Sequence, residues 1–197
     1  MDGDRVLGLV RDLAAGLGNP LLARALRDLP ATAGPLRAQP PARLPVVSCL
    51  DAIVAAAPAA ARPLLAGLSE ARDRLAWRQT YTAADLGQAF LDAYGWTEFV
   101  GQRGPVASDV LACGVLLLGP DTEYPSHAHE AEEIYIPLSG KARWQRGTDP
   151  WMTRAPLEVI HHLGWMPHAM RTEAEPLAAL YVWIGGNLTQ KSVIAPR

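Results

Sequence analysis

The residues best suited to chemistry lie in one short stretch that runs from Tyr124 to Tyr135. If this stretch is extended, alternate side chains share one face of the strand. That face would carry His127, His129, Glu133 and Tyr135. Two imidazoles and a carboxylate suit a divalent metal that keeps coordination positions open for a substrate. The spacing therefore predicts a metal site, completed by a protein ligand from elsewhere in the chain.

The remaining histidines offer that further ligand. All five histidines of the chain lie between residues 127 and 168, and the three downstream ones are His161, His162 and His168. Neighbouring strands of one sheet could bring them to the first two. A lone His-x-His motif is more often a structural or surface feature, but the added carboxylate and the downstream imidazoles favour a metal site.

Composition indicates a globular protein with one domain, or one domain with an extension. The chain has 197 residues, of which 49% are hydrophobic and 19% are charged. The net charge of -2 gives no reason to expect binding to nucleic acid or to an anionic membrane. The first residues do not resemble a signal peptide, so we expect a cytoplasmic protein. Cys49 and Cys113 are too few for a disulfide framework.

The first half of the chain is predicted to be helical. Apolar residues recur at helical spacing over residues 5–17, 21–26, 49–57 and 62–77, and Thr82 with Asp85 forms a capping box that opens a further helix ending near Gly95. Five prolines make residues 30–46 a connector. We therefore expect residues 1–94 to form an N-terminal helical region that packs on the second half.

After Gly95 the pattern changes to short β-prone runs separated by turn residues. The predicted strands span residues 96–100, 110–118, 134–138, 142–145, 157–161, 168–172 and 177–184. Many short strands without intervening helices favour an antiparallel sandwich or barrel. Residues 95–197 are thus predicted to form a β-barrel that carries the metal site on its wall or at its mouth.

These residues resemble the first motif of the cupin superfamily, whose members are small β-barrels that hold one metal. His127, His129 and Glu133 have the cupin spacing, and Gly140 follows Glu133 after six residues. The second cupin motif is weaker here. The resemblance implies a mainly β fold, the cupin antiparallel β-barrel or double-stranded β-helix. It also implies one divalent transition metal such as zinc, iron or manganese.

Within the cupins, the chain is most similar to the cupin-type dimethylsulfoniopropionate (DMSP) lyases, particularly the short bacterial group called DddQ. The resemblance covers roughly residues 75–185, including residues 77–82, 94–95, 124–135 and 168–172. It implies a metal-dependent carbon–sulfur lyase that cleaves DMSP to dimethyl sulfide and acrylate by β-elimination. The implied metal ligands are His129, Glu133 and His168, with His127 as a ligand or close neighbour. Between His162 and His168 as the last ligand, we favour His168.

Such a cleavage begins with removal of the proton α to the substrate carboxylate. A metal that binds the carboxylate would stabilise the developing negative charge, and a tyrosine near that metal could act as the base. Tyr124 and Tyr135 are the candidates, and we favour Tyr124 if Tyr135 is tied to the metal. Aromatic faces suit the sulfonium cation. The predicted substrate-binding residues are Tyr81, Trp165 and Trp183, although for any single one of them core packing is the more common role.

Two other functions fit the same residues. The chain could be another metal-dependent cupin enzyme, an isomerase or dioxygenase that acts on a small carboxylate or polyol, or a non-catalytic ligand-binding cupin. A dianionic substrate would call for an inward arginine such as Arg143 or Arg171. A sensor would call for a basic DNA-binding helix pair, which the N-terminal helices lack. In each case the partner is a small molecule, and cupins commonly form homodimers through barrel edges.

Overall fold

The computed structural model describes residues 2–194, and its N-terminal part is helical. The helices are α1 (Gly3–Leu17), α2 (Pro20–Ala25), α3 (Leu50–Ala56), α4 (Arg62–Ala71), α5 (Ala83–Leu86) and α6 (Gln88–Asp92). The Asp2 side chain accepts a hydrogen bond from the Arg5 backbone N–H at 3.0 Å and caps α1, while Gly18 ends it in the left-handed conformation.

Strands make up most of the chain from Tyr94 onward. They are β1 (Tyr94–Gly101), β2 (Val106–Ala107), β3 (Leu111–Leu118), β4 (Glu123–Ala128), β5 (Glu132–Ser139), β6 (Ala142–Arg146), β7 (Met152–Arg154), β8 (Ile160–His162), β9 (His168–Thr172), β10 (Leu177–Ile184) and β11 (Val193–Ile194). The fold is therefore mainly β with helices at its N-terminus, as predicted. The division into two regions at residue 94 stays a prediction.

The strands form two sheets. One has the order β2-β1-β3-β10-β5-β8 and the other the order β11-β4-β9-β6-β7. All neighbours pair antiparallel except β1 and β2, which are parallel. Consecutive strands β4 and β5 belong to different sheets, so the chain crosses from one sheet to the other between residues 128 and 132.

Strand β3 shows why the six-stranded sheet needs the helices. All eight of its residues are buried, because each face of the strand packs against a different apolar cluster. Leu111, Val115 and Leu117 belong to the cluster that includes α1, α3 and α4. Leu116 and Leu118 belong to the cluster between the two sheets. The helices thus cover one face of this sheet, and the other face forms the barrel interior.

Some predicted boundaries were wrong for identifiable reasons. The helix predicted from Thr82 to Gly95 is split into α5 and α6 at Gly87, whose φ of 82° does not continue a helix. Helix α4 stops at Ala71 and continues only as a 3₁₀ turn to Arg74. The strand predicted at 157–161 begins at Ile160, since Leu157 has a φ of 73°.

Within residues 2–194, none of the helices combines the length and the apolar character that crossing a bilayer requires.

Gly114, at the centre of β3, lies where two neighbouring strands approach closely. A Cβ at this position would lie 2.1 Å from the Thr97 carbonyl oxygen and 2.6 Å from the Tyr181 hydroxyl. We expect Gly114→Ala to reduce the free energy of unfolding by about 1–3 kcal/mol, because backbone atoms must shift to accept the methyl group. Denaturant titration measures this change.

The matched control is Gly8→Ala in α1, where an added Cβ meets nothing within 4 Å. This substitution should raise the free energy of unfolding by about 0.5–1 kcal/mol, because alanine loses less backbone entropy in a helix. Equal effects of the two substitutions would contradict the close approach at Gly114.

Candidate metal centre

The predicted ligands come from both sheets and from the segment between them. His127 lies on β4, Glu133 lies on β5, and His129 lies in the connection that joins these strands. The expectation that they share one face of a single extended strand was therefore wrong. The chain turns at residues 129–131, so the side chains converge from two walls of the barrel instead of lining up along one strand.

Three ligand-type side chains meet in the barrel interior. The Nε2 atom of His129 lies 3.0 Å from Oε2 of Glu133, and the Nε2 atom of His168 lies 3.1 Å from the same oxygen. One ligand atom from each of the three residues lies within 4.8 Å of the others, and all three side chains are buried. His168 comes from β9, which pairs with β4 so that His127 and His168 are in register. The barrel thus carries a buried His/Glu/His group that is able to bind a metal.

Backbone carbonyls fix which nitrogen of each histidine faces this group. A carbonyl oxygen only accepts hydrogen bonds, so an Nδ1 atom bonded to one must carry the proton, and Nε2 is then left with its lone pair. The three contacts are His127 Nδ1 to the Pro125 oxygen at 2.9 Å, His129 Nδ1 to the Ala131 oxygen at 3.0 Å and His168 Nδ1 to the Met166 oxygen at 2.9 Å. This outer-shell bonding is typical of metal-ligating histidines.

Glu133 is held as a carboxylate. Although burial acts to raise its pKa, the positive charge that the His129 and His168 imidazoles carry when protonated keeps the pKa of Glu133 well below its usual range. A bound metal ion would supply this charge when both imidazoles are neutral. Its other oxygen, Oε1, accepts a hydrogen bond from the Trp183 indole N–H at 2.6 Å.

The donor set fits a divalent transition metal. It offers two imidazole nitrogens and one carboxylate, each directed by its own hydrogen bonds. The buried Nε2 atom of His168 makes no hydrogen bond with any residue between 2 and 194, although it lies beside Glu133. A metal ion would supply the missing partner of this atom.

The other two candidate histidines lie on either side of His168. The His127 ring centroid is 4.2 Å from that of His168. Burial lowers the pKa of His127 well below its usual value, and the positive charge of a protonated His168 lowers it further. The His162 ring stacks on His168 at 4.1 Å, and its nitrogens have no hydrogen-bond partner in the described part of the chain. Neither belongs to the group of three ligand atoms, although His127 lines the adjoining cavity.

A cavity of about 240 Å³ opens beside the ligand group. Its wall includes Glu133, His127 and three aromatic side chains, Tyr124, Tyr135 and Trp183. A concave site that combines aromatic side chains with a few polar groups is typical of small-molecule binding.

Two tyrosines in this wall are the predicted bases. The Tyr124 ring stacks on His127 with centroids 3.9 Å apart, and its hydroxyl lies 3.0 Å from the Tyr81 hydroxyl. Tyr135 lies two residues after Glu133 on the same strand, β5, and contacts the Glu133 carboxylate. Burial raises the pKa of both Tyr124 and Tyr135 well above the usual value, and the Glu133 charge raises that of Tyr135 further.

The three aromatic residues that were predicted to bind the substrate lie in different environments in the structure. Trp183 lines the cavity and stacks on His129 with centroids 4.0 Å apart. Tyr81 is buried against Tyr124. Trp165 is 53% exposed and, within residues 2–194, is not part of the cavity wall. Its φ of 61° belongs to a turn in which its N–H donates to the His129 carbonyl, so only its backbone contacts the site segment.

Three charged residues of the cavity wall were not predicted. The wall contains Glu98, Arg78 and Arg103 instead of the two arginines considered from the sequence, Arg143 and Arg171, which do not line the cavity in the described structure. Glu98 is 6% exposed and accepts a hydrogen bond from the Arg103 backbone N–H at 2.6 Å. In the sequence, Glu98 is the single acidic residue of the otherwise uncharged run 96–100, and this pattern could have indicated an inward carboxylate.

Trp183 offers a test of the outer-shell contact to Glu133. We expect Trp183→Phe to weaken metal affinity by about 10–100-fold, since the indole N–H no longer orients the ligating carboxylate. Competition with a chromophoric chelator measures the affinity. Trp96→Phe is the matched control, because the Trp96 indole also lines the cavity but donates its hydrogen bond to Thr80, and this substitution should leave the affinity unchanged. Equal affinity of the two variants would contradict the role of the indole.

The sequence profile of the dimethylsulfoniopropionate lyase family matches residues 19–179. The chain is 38% identical over 109 residues to dimethylsulfoniopropionate lyase DddQ of Ruegeria pomeroyi, covering 55% of this chain and 54% of that protein. It is 31% identical over 130 residues to the putative dimethylsulfoniopropionate lyase DddL of Cereibacter sphaeroides, covering 64% and 54% respectively. The matches thus span about half the length of these curated relatives.

Solved structures match over nearly the whole chain. A chain from the crystal structures of DMSP lyases RdDddP and RnDddQII is 29% identical with a TM-score of 0.84, covering 99% of this chain and 100% of that one. The crystal structure of DMSP lyase DddQ from Ruegeria pomeroyi is 31% identical with a TM-score of 0.76, covering 95% and 96%. These matches confirm the predicted cupin fold. With the family profile covering most of its length, the chain belongs to the dimethylsulfoniopropionate lyase family.

Proposed function

We propose that this chain cleaves DMSP to dimethyl sulfide and acrylate by metal-dependent β-elimination. The observation that carries the proposal is the buried group of His129, Glu133 and His168 beside a cavity with an aromatic wall. The relatives named as DMSP lyases support the same reaction. For the metal we propose zinc, iron or manganese, all of which accept mixed nitrogen and oxygen ligands. The cytoplasmic location and a homodimer stay predictions.

The site would position a small zwitterion by its two ends. A bound divalent metal would act as a Lewis acid for the substrate carboxylate and stabilise charge that develops on it. The His129 and His168 imidazoles and the Glu133 carboxylate would hold that metal. Trp183 presents an aromatic face in the cavity next to them, and such a face suits a sulfonium ion that has no hydrogen-bond donors.

A phenol at the cavity wall, with its pKa lowered by the charge of the bound metal, would remove the α-proton. We assign this step to Tyr124, with Tyr135 as the alternative. Tyr135 lies against Glu133, so in the loaded site its hydroxyl would be beside the ligand group. Tyr124 does not contact Glu133 in this way: its ring stacks on His127, and its hydroxyl bonds to the Tyr81 hydroxyl. We therefore expect the Tyr124 hydroxyl, and not that of Tyr135, to reach the α-carbon of a metal-bound substrate.

Proton NMR of the products tests the reaction type. The metal-reconstituted protein incubated with DMSP should give equal amounts of acrylate and dimethyl sulfide, which are the products of elimination. Formation of 3-hydroxypropionate would instead indicate substitution by water. Unchanged DMSP with zinc, iron and manganese forms alike would contradict the proposed substrate.

A further inference from the structure

The cavity wall holds a second carboxylate that the proposed chemistry does not use. Glu98 lies on β1, lines the cavity and is 6% exposed. Its Oε1 atom accepts a hydrogen bond from the Arg103 backbone N–H. Within residues 2–194, no cationic side chain forms an ion pair with it. Since a buried charge is costly unless it is paired, this carboxylate favours a cation in the cavity.

The two arginines of the same wall bond to other groups. The Arg103 guanidinium donates to the Thr189 carbonyl oxygen, and the Arg78 guanidinium donates to the Gln39 side chain at 2.8 Å. Burial raises the pKa of Glu98, while the hydrogen bond from the Arg103 N–H and the nearby guanidinium charges lower it. The positive charge of a ligand in the cavity would favour the ionised carboxylate further.

Strand pairing places Glu98 in one row with an aromatic residue. Glu98 pairs with Gly114, and Gly114 pairs with Tyr181, so the three residues lie side by side on one face of the sheet. A Cβ at Gly114 would lie 2.6 Å from the Tyr181 hydroxyl and 2.8 Å from the Glu98 Cα atom. The Tyr181 side chain therefore leans across β3 toward Glu98, over the space that the glycine leaves free.

A second aromatic side chain completes this part of the wall. The Trp96 ring meets the Tyr181 ring nearly at a right angle with centroids 6.5 Å apart, and both residues line the cavity. The Trp96 ring also lies 5.8 Å from the Arg103 guanidinium, so it already contacts one cation. The buried Tyr181 hydroxyl has no hydrogen-bond partner in the described chain. Aromatic rings beside a carboxylate suit an alkylated cation that has no hydrogen-bond donors.

These side chains lie one step along the sheet from the ligand group. On β10, Tyr181 comes two residues before Trp183, which pairs with Glu133 and donates a hydrogen bond to it. Residues two apart on a strand are separated by about 7 Å. A small zwitterion whose carboxylate is held at the metal would thus extend its cationic end toward Glu98.

We propose that Glu98 is the counter-ion of the substrate sulfonium group, in a subsite walled by Trp96 and Tyr181. The inference rests on the proposed lyase function. Trp183 offers an aromatic face nearer the metal ligands, and Glu98 supplies the negative charge that this face lacks. The subsite would select carboxylates that carry an onium cation over uncharged carboxylates of the same shape.

Isothermal titration calorimetry with two ligands of matched shape tests the subsite. β-Alanine betaine ends in a trimethylammonium cation, whereas its analogue ends in an uncharged tert-butyl group, and both keep a carboxylate for the metal. The zinc-loaded parent protein should bind the betaine on the order of tenfold more tightly than the analogue. Glu98→Gln keeps an acceptor for the Arg103 N–H but should bind the two ligands within about twofold of each other, with affinity for the analogue unchanged.

Glu123→Gln is the matched control. Glu123 is an exposed carboxylate on β4 that does not line the cavity in the described structure, so its variant should keep the full preference for the betaine. Equal affinities of the parent for the two ligands, a preference that survives in folded Glu98→Gln, or a preference lost in Glu123→Gln would overturn the subsite. Absence of acrylate from DMSP, with the preference intact, would instead contradict the lyase function, so the two failures are distinguishable.

Discussion

Replacing Glu133 by Gln is expected to abolish both tight metal binding and DMSP cleavage. The carboxylate lies 3.0 Å and 3.1 Å from the Nε2 atoms of His129 and His168, and it supplies the negative charge of the ligand group. The amide keeps the volume of the side chain but removes this charge. We expect metal affinity to fall by more than about 100-fold, beyond the usual effect of losing an outer-shell partner.

Glu132→Gln is the matched control for this substitution. Glu132 is the preceding residue on β5, and it bonds to Arg24 and His161 outside the ligand group. Metal content measured by mass spectrometry should therefore fall in Glu133→Gln and remain at the parent level in Glu132→Gln, with both proteins folded by circular dichroism. Full metal content in folded Glu133→Gln would contradict the proposal that the Glu133 carboxylate is a metal ligand.

Replacing Tyr124 by Phe is expected to reduce turnover while the metal stays bound. The change removes only a hydroxyl whose nearest partner is the Tyr81 hydroxyl, and it keeps the ring stacked on His127. Loss of a positioned general base typically costs on the order of 10²–10⁴-fold in rate. We expect kcat to fall within this range, with metal content and thermal stability close to those of the parent.

Tyr135→Phe decides between the two phenols in the same assay. If Tyr124 is the base, its variant should lose more activity in single-turnover measurements than Tyr135→Phe. The reverse order, with metal content retained in both variants, would assign proton abstraction to Tyr135 and contradict our preference.

The ligand residues could be predicted because their signal is local. The spacing of His127, His129 and Glu133 is contained within a few residues, and a second imidazole downstream was the simplest complement. The structure brings His168 to Glu133 through the pairing of β4 with β9. The path of the chain was predicted less well, since the turn at residues 129–131 places β4 and β5 in different sheets.

The rest of the cavity depends on contacts between distant parts of the chain. Arg78 and Arg103 line it because the segments around them meet at β1, and nothing in the spacing of these residues indicates that approach. Trp165 was predicted from its type alone, but a left-handed turn leaves its side chain exposed. Residue type and spacing thus predicted the His/Glu/His group that could bind a metal, whereas the arginines of the cavity wall required the tertiary structure.

The most direct test of the account is headspace detection of dimethyl sulfide from the purified protein, reconstituted with zinc, iron or manganese and supplied with DMSP. We predict release by at least one metal form, no release by the metal-free protein and none by Glu133→Gln. Absence of dimethyl sulfide from every metal form, with the metal bound through His129, Glu133 and His168, would contradict the proposed activity and leave a metal-binding cupin with another substrate.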